Sequence, residues 1–270
     1  MAAQPRSSSA VMLVRDAGEL EVFMVRRVIQ SDFMPDVYVF PGGSVQPDDL
    51  AVEQEAGMCR AVTVGEADPE GRTALGRGVR AAAIRELFEE AGVLLAYEGA
   101  DMLVFNEANN SRFERYRQAL NERAESLLKL ARAEHLVLAS ERLGYFAHWI
   151  TPEGLPKRFD THFFVAAAPA EQQAVYDNLE TSEGTWIAPA EALARAQRNE
   201  FPLVFATLHQ LHELAAFHSV AEVLQAATST LVKTHAPVLV ERDGQFHVHL
   251  PETSSELWAV PEHMTRVRPN

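Results

Sequence analysis

Three glutamates crowd into five positions of the sequence, and carboxylates at this spacing can hold a divalent cation. Glu86, Glu89 and Glu90 stand at i, i+3 and i+4, so on a helix they share one face. Their like charges repel one another by roughly 0.2–0.5 kcal/mol per pair. A bound Mg²⁺ or Mn²⁺, which prefer oxygen ligands, would offset that repulsion. The alternative is a solvated glutamate face, because short motif matches often occur by chance.

The residues around the glutamates favour the first interpretation. Arg85 precedes them, Gly92 can end a helix in the left-handed conformation, and residues 39–43 (Val-Phe-Pro-Gly-Gly) read as a strand entering a glycine turn. Together these features resemble the signature of the Nudix hydrolases, G-x5-E-x7-R-E-U-x-E-E-x-G-U with U aliphatic. Residues Arg85–Val93 match each specified position of its second half.

The first half of the signature departs from the pattern. The favoured register starts at Gly43 and puts Asp49, an aspartate, where the pattern has glutamate. Gly71 would give the regular spacing to Arg85, but no strand precedes it and its glutamate position holds an arginine. In the Gly43 register 35 residues stand between Asp49 and Arg85 in place of 7, which predicts an insertion at about residues 50–77. Loop closure entropy grows slowly with loop length, so the two halves can still meet.

The resemblance implies a role for each polar residue near this site. It implies that Mg²⁺ or Mn²⁺ is held by Glu86, Glu89, Glu90 and the backbone carbonyl of Gly42, and that Arg85 orients a signature glutamate. A general base is expected either from Glu180 or Glu183, in a polar loop before Trp186, or from Glu89 itself. The expected substrate contacts are Arg26, Arg27, Gly43 and Arg158.

A second stretch of sequence indicates one branch of the family. Residues 148–152 (His-Trp-Ile-Thr-Pro) and 158–164 (Arg-Phe-Asp-Thr-His-Phe-Phe) resemble the branch of the peroxisomal coenzyme A diphosphatases of animals, which also carry a long insertion within the signature. This resemblance implies hydrolysis of coenzyme A or acyl-coenzyme A to adenosine 3′,5′-bisphosphate and (acyl-)phosphopantetheine. ADP-ribose or NADH is the alternative substrate. Outside the enzyme class, the alternative is a non-catalytic Nudix-fold protein that binds a regulatory ligand.

Composition and charge narrow the class of protein. The formal net charge of −14 argues against general nucleic-acid binding, which needs a basic face, but it permits a small-molecule nucleotide held through a cation. The single cysteine, Cys59, rules out an intrachain disulfide and is typical of a reducing compartment. No apolar run approaches the roughly 18 residues of a membrane span, and neither a signal-peptide core nor a peroxisomal C-terminal signal is present. We therefore expect a cytoplasmic protein without a membrane partner.

Hydrophobic periodicity predicts the elements that position these residues. The family resemblance implies an α/β/α sandwich with a mixed central sheet, and we expect residues 1–270 to form a single domain with the glutamate helix at about residues 78–91. Further strands are expected at 10–15, 20–26, 37–40, 143–150 and 161–168. A helical insertion at about residues 106–140, containing one amphipathic helix at 111–134, is expected to form a cap or a homodimer contact. Residues 201–250 are expected to form helices, the first at 201–218, and a closing hairpin.

Overall fold

The chain folds around a central sheet, and the computed structural model describes residues 3–29, 34–251 and 257–260. The strands are β1 (Arg6–Asp16), β2 (Leu20–Arg27), β3 (Tyr38–Val39), β4 (Gly42–Ser44), β5 (Ala96–Glu98), β6 (Asp101–Met102), β7 (Leu136–Leu138), β8 (Gly144–Ile150), β9 (Phe159–Ala167), β10 (Thr181–Ile187), β11 (Thr234–His235), β12 (Val238–Arg242), β13 (Gln245–His249) and β14 (Leu257–Ala259). The helices are α1 (Pro47–Gln54), α2 (Val79–Ala91), α3 (Asn110–Asn121), α4 (Leu127–Ala133), α5 (Pro189–Gln197), α6 (Phe205–Leu214) and α7 (Val220–Ser229). Within the described ranges, no helix is long and apolar enough to cross a bilayer.

The central sheet is built around the N-terminal hairpin. Counted over the described residues it has eight strands, in the order β10-β2-β1-β9-β8-β11, with β3 beside β2 and β4 beside β1. β1 pairs antiparallel with β2 and parallel with β9, so the sheet is mixed. Gly18, with a φ of +87°, forms the turn between β1 and β2, where a residue with a Cβ would be strained. The predicted hairpin and mixed sheet are confirmed.

Side chains of β1 pack against helices on both faces of the sheet. On one face Val11 and Leu13 are buried in the same apolar cluster as Leu87 of α2. On the other face Met12 is buried in a second cluster with Leu211 of α6. Because successive strand residues point to opposite faces, this alternation produces three layers. The predicted α/β/α sandwich is confirmed.

The glutamate helix α2 is buried along its length, and its first turn is capped from the inserted segment. Gly78, with a φ of +77°, precedes the helix and has no side chain to cap it. The buried Glu53 carboxylate takes that place and accepts hydrogen bonds of 2.7–2.9 Å from the backbone N–H groups of Gly76, Arg77, Gly78, Arg80 and Ala81. The first N–H groups of a helix have no partner within it and lie at the positive end of its dipole. A carboxylate there stabilises the helix both by accepting their hydrogen bonds and by its negative charge. At the other end, Gly92 stops the helix in the left-handed conformation, as predicted.

The segment between the two signature halves holds more structure than its sequence predicts. The sequence shows weak periodicity there, yet α1 spans its start, with Pro47 in the first turn and a capping box between Gln46 and Asp49. Further along, the Asp68 carboxylate accepts hydrogen bonds from the backbone N–H groups of Arg72 and Thr73, at 2.8 and 2.7 Å. These contacts order the segment from within, and the 2.8 Å hydrogen bond from Nη2 of Arg72 to the Val232 carbonyl joins it to the body of the protein.

The single helix predicted at 111–134 is wrong, because the chain forms two helices there. α3 ends at Asn121, and Arg123 takes a left-handed φ of 56° that a continuous helix does not allow. A second helix, α4, then follows Ser126, whose hydroxyl caps it by accepting a hydrogen bond from the Lys129 N–H. The apolar spacing continues across the break, so periodicity alone does not reveal it.

Two other predicted boundaries are corrected in the C-terminal half. α6 begins at Phe205 and not at residue 201, because residues 201–204 run extended beside β3, where the Pro202 carbonyl accepts the Tyr38 N–H at 2.9 Å. The polar loop predicted around Glu183 is part of β10, which pairs antiparallel with β2. The predicted closing hairpin is confirmed as β12 and β13.

A buried polar cluster lies between β8 and β9. The imidazole rings of His148 and His162 stack at 4.5 Å with an interplanar angle of 6°, and the nearest ligand atoms of these histidines and Asp160 lie within 4.8 Å of one another. Parallel stacked rings direct their nitrogen lone pairs side by side and not to one point, which disfavours a shared metal. The Arg72 guanidinium, 3.1 Å from Nδ1 of His148, already supplies positive charge there.

We expect this cluster to make the free energy of unfolding depend on pH in the mildly acid range. Burial, aided by the neighbouring His148 and Arg72, lowers the pKa of His162 from 6.5 to about 4 although Asp160 opposes the shift. Between these values only the unfolded chain takes up a proton at this position, so acidification should lower the free energy of unfolding by roughly 2–3 kcal/mol. Urea unfolding of wild type and His162→Gln from pH 7 to pH 4 measures this loss. We expect the free energy of unfolding of His162→Gln to fall less steeply with decreasing pH than that of wild type. His218→Gln, at an exposed histidine, is the control and should keep the wild-type slope. Parallel curves for His162→Gln and wild type would contradict the assignment.

Candidate active site

The glycine turn and the glutamate helix meet, so the two halves of the signature form one site. The Gly42 N–H donates a 3.0 Å hydrogen bond to Oε2 of Glu90. A Cβ added to Gly43 would lie 2.4 Å from Oε1 of Glu86, so a side chain at this position would displace the Glu86 carboxylate. Among the residues that the structure describes, only the Ala74 side chain lies within 4 Å of a Cβ added to the alternative glycine, Gly71. The geometry therefore supports the register that starts at Gly43.

Arg85 is the hub that connects the carboxylates of the site. Its guanidinium is 3% exposed and forms a two-point ion pair with Asp49, with Nε–Oδ1 and Nη2–Oδ2 distances of 2.8 and 2.9 Å. Nη1 also donates to Oε1 of Glu86 at 2.8 Å and to Oε2 of Glu89 at 3.1 Å. Burial alone would lower the pKa of Arg85, but Glu86 and Asp49 raise it above its ordinary value. Asp49, the carboxylate of the first half in the Gly43 register, is thus a fixed partner of Arg85.

Burial opposes ionisation of the glutamates of the site. It raises the pKa of Glu89 to about 8, although Arg85 opposes the shift. The pKa values of Glu86 and Glu90 are also raised, again mainly by burial. Carboxylate oxygens gathered where ionisation is unfavourable suit a hard divalent cation, which would stabilise their charged forms. The residues present therefore fit Mg²⁺ or Mn²⁺.

A cavity of about 430 Å³ runs past Glu86 and Glu89. Its charged part is lined by Arg27, Glu86, Glu89, Arg123 and Glu180, and Gly42 and Gly43 also line it. Its apolar part is lined by Trp149, Leu155, Phe163, Phe205, Val248 and Trp258. Within the apolar part the ring of Phe205 lies 6.0 Å from Trp149 and 6.5 Å from Trp258, between centroids. The cavity thus joins a charged site to an aromatic and aliphatic chamber.

The structure brings some of the predicted arginines to this cavity and not others. Arg27 lines it. Arg26 is held elsewhere, by a 2.8 Å hydrogen bond from Nε to Asp36 and by the ring of Tyr38. Arg158 donates to the backbone oxygens of Thr151 and Ala3, at 3.0 and 2.9 Å. The placement therefore favours Arg27 over Arg26 and Arg158 as a substrate contact.

The two glutamates predicted as bases outside the helix are also separated. Glu180 lines the cavity just before β10 begins. Glu183 lies within β10, where its Oε2 accepts a 2.7 Å hydrogen bond from the Tyr38 hydroxyl and lies 3.7 Å from Nη1 of Arg26. Of the predicted bases, Glu89 and Glu180 are the ones that line the cavity.

Sequence reasoning missed residues that support or line the site from the two insertions. Glu53 caps α2, but it is one acidic residue among many in a segment without periodicity. Arg117 of α3 is 6% exposed, and its Nε donates to the backbone oxygen of Glu89 at 2.9 Å. Asn121 and Arg123 then line the cavity. Arg117 lies on the buried face of an amphipathic helix, which the sequence shows, but this pattern does not predict which group the arginine contacts.

Comparison with known proteins identifies the family. Residues 62–215, more than half of the chain, match the family model described as the NUDT19 Nudix domain. The chain is 23% identical over 239 residues to acyl-coenzyme A diphosphatase NUDT19 of Xenopus laevis, covering 77% of this chain and 63% of that protein. It is 27% identical over 244 residues to the Gallus gallus protein of the same name, covering 76% and 64%. The chain thus spans less than two thirds of the length of these relatives.

A solved structure confirms the fold. The crystal structure of a Nudix hydrolase from Alicyclobacillus acidocaldarius superposes with a TM-score of 0.70 at 24% identity, covering 85% of this chain and 98% of the other. At this identity the likeness concerns the fold alone. With the family match over residues 62–215 and the two signature halves joined at Gly43 and Glu86, the chain belongs to the Nudix hydrolases, in the branch described by the NUDT19 Nudix domain.

Proposed function

We propose that this protein is a metal-dependent diphosphohydrolase that cleaves the diphosphate linkage of coenzyme A or acyl-coenzyme A. The observation that carries the proposal is the cavity that runs from Glu86 and Glu89 to the chamber around Trp149 and Phe205. The charged part can receive a diphosphate through a cation, and the apolar part can receive a long, flexible substituent. The frog and chicken relatives are named acyl-coenzyme A diphosphatases, which supports the same substrate class.

The roles of the residues follow from their positions. Glu86, Glu89 and Glu90, with the carbonyl of Gly42, would hold Mg²⁺ or Mn²⁺. The ion would neutralise the diphosphate oxygens and activate water as a nucleophile. Arg85 keeps Glu86 and Glu89 oriented, since it bonds both and is itself fixed by Asp49. Arg27, on the cavity wall, would bind a phosphate oxygen.

The reaction needs a group that accepts a proton from the attacking water. The water oxygen forms a bond to one phosphorus, the bridging P–O bond breaks, and the departing phosphate keeps the bonding electrons. Glu89 and Glu180 both line the cavity and are the two bases we propose. Replacing each by glutamine and recording kcat against pH would separate them, because loss of the base removes the acid limb of the profile.

The apolar chamber favours coenzyme A over the other diphosphate-linked nucleotides. Pantetheine and an acyl chain carry a long arm with methyl and methylene groups, and burying such groups stabilises binding by about 25 cal/mol per Å². ADP-ribose presents a polar sugar beyond the diphosphate, and NADH a second nucleoside, so neither gains as much from Leu155, Phe163 and Val248.

The predicted cytoplasmic location and homodimer contact remain predictions.

A substrate panel tests the proposed function. Purified protein would be incubated with coenzyme A, an acyl-coenzyme A, ADP-ribose and NADH, each with Mg²⁺, with Mn²⁺ and with a chelator, and the products identified by mass spectrometry. We expect adenosine 3′,5′-bisphosphate and (acyl-)phosphopantetheine, formed only with metal. Preferred cleavage of ADP-ribose or NADH would reassign the substrate. Binding of a nucleotide without cleavage of any would instead indicate the regulatory, non-catalytic alternative.

A further inference from the structure

We propose that Arg123, in the turn between α3 and α4, is a specificity residue that binds a phosphomonoester of the substrate apart from the diphosphate that is cleaved. For coenzyme A this group is the 3′-phosphate of the adenosine. The assignment of that particular phosphate rests on the proposed function, whereas the subsite itself rests on the geometry of the turn and the cavity.

The turn holds Arg123 in a backbone conformation that arginine seldom adopts. Its φ is 56°, and the surrounding backbone is closed by hydrogen bonds from the Arg123 N–H to Leu120 and from the Ala124 N–H to Ala119, at 2.9 and 2.8 Å. Glycine or asparagine would occupy this left-handed position with less strain. A costly backbone position filled by a long cationic side chain motivates a search for what that side chain does.

α3 is fastened to the glutamate helix, so the position of Arg123 relative to the site is fixed. The Arg117 guanidinium, buried under α3, donates to the backbone oxygens of Glu89 and Val175, at 2.9 and 2.6 Å. Asn121 donates to the same Glu89 oxygen at 3.5 Å. Two residues later the chain reaches Arg123, which lines the cavity that Glu89 also lines. Movement of this turn would therefore disturb contacts with α2.

The side chain of Arg123 is exposed. Among the described residues, none forms an ion pair or hydrogen bond with its exposed guanidinium. By contrast, the guanidinium of Arg117, in the same insertion, donates hydrogen bonds to backbone oxygens. The carboxylates of the site would bind the diphosphate through a cation, so a further phosphate on the ligand needs a positive partner of its own. A guanidinium at the cavity wall provides a planar, two-point match for phosphate oxygens.

The test compares ligands that differ by one phosphate, in proteins that differ at one residue. Turnover of coenzyme A and dephospho-coenzyme A would be measured for wild type, Arg123→Gln, Arg123→Gly and Arg115→Gln, an exposed arginine on α3 outside the cavity lining. We expect both Arg123 variants to raise KM for coenzyme A by about 10-fold or more with kcat little changed, since a charge-assisted bond is lost from ground and transition states alike. Dephospho-coenzyme A should be affected less than twofold, and Arg115→Gln should behave as wild type. Arg123→Gly should unfold at the same temperature as wild type or a higher one, because glycine adopts the positive φ of this position without strain.

Binding without turnover separates this inference from the proposed function. Calorimetric titration of the same proteins with adenosine 3′,5′-bisphosphate and with adenosine 5′-monophosphate probes the extra phosphate directly. Selective loss of affinity for the bisphosphate in the Arg123 variants supports the subsite even if wild type cleaves neither coenzyme. Equal losses for both ligands, or no loss for either, would overturn it. Failure of wild type to hydrolyse coenzyme A, with the bisphosphate still bound through Arg123, would count against the proposed function alone.

Discussion

We expect Glu90→Gln to fold normally and to lose at least ~100-fold in kcat, or about 2.7 kcal/mol of transition-state stabilisation. The reason is that glutamine removes a charged metal ligand while it keeps an oxygen that can accept the 3.0 Å hydrogen bond from the Gly42 N–H. Glu90 is 3% exposed, and burial together with Glu86 raises its pKa well above the ordinary range. A neutral amide should therefore cost the metal-free protein no stability.

Two measurements make this result specific. Thermal unfolding with and without Mg²⁺ should show stabilisation of wild type by the ion and a reduced effect in Glu90→Gln, because a ligand that binds the folded state raises its apparent stability. Glu98→Gln, at an exposed glutamate on β5, is the matched control and should keep wild-type turnover and metal response. Activity in Glu90→Gln close to that of wild type would remove this residue from the metal site.

The second large effect is expected on stability, from Glu53→Ala. This change removes the carboxylate that accepts hydrogen bonds from five backbone N–H groups at the start of α2. Three of these groups, the N–H groups of Gly78, Arg80 and Ala81, are buried, so water has little access to them. Losing a helix cap and leaving buried donors unpaired should lower the free energy of unfolding by about 3–5 kcal/mol. Urea unfolding monitored by circular dichroism measures the loss. Because α2 carries Glu86, metal affinity should fall as well.

The control for Glu53 lies two residues along the chain. Glu55 pairs with Arg132 at the surface, where solvent weakens the attraction. Glu55→Ala should therefore destabilise the protein far less than Glu53→Ala. If the two variants unfolded at similar urea concentrations, the carboxylate of Glu53 would not have the capping role that its hydrogen bonds indicate.

Local sequence patterns predict the parts of this fold in which neighbours along the chain determine the structure. The β1–β2 hairpin, the helix from 79 to 91 and the hairpin of β12 and β13 each carry an apolar period and a glycine at their turn or end. The glutamates of the site were recognisable for the same reason. Three of them lie within one helical turn, and their spacing survives any arrangement of the rest of the chain.

Long-range contacts were not predictable in the same way. Nothing in the sequence near Glu53 indicates that it caps a helix that begins 26 positions later. The break at Arg123 interrupts an apolar period that continues on both sides of it, because the turn is closed by backbone hydrogen bonds, which leave no mark in the side-chain pattern. Arg26 and Arg27 are adjacent, but alternation along β2 places them on opposite faces of the sheet. One faces Asp36 and Glu183, and the other lines the cavity.

The apolar part of the cavity is closed by strands near the end of the described chain. Val248 of β13 and Trp258 of β14 lie beyond residue 215, where the match to the family domain stops, whereas Glu86 and Glu89 lie inside it. Part of the chamber wall thus lies outside the stretch that carries the glutamate helix, whereas Trp149 and Phe205 lie inside it. Under the proposed function, substitutions in β13 and β14 would change which arm fits the chamber while the glutamate helix stays the same, so proteins that share this helix can diverge in the molecules they accept.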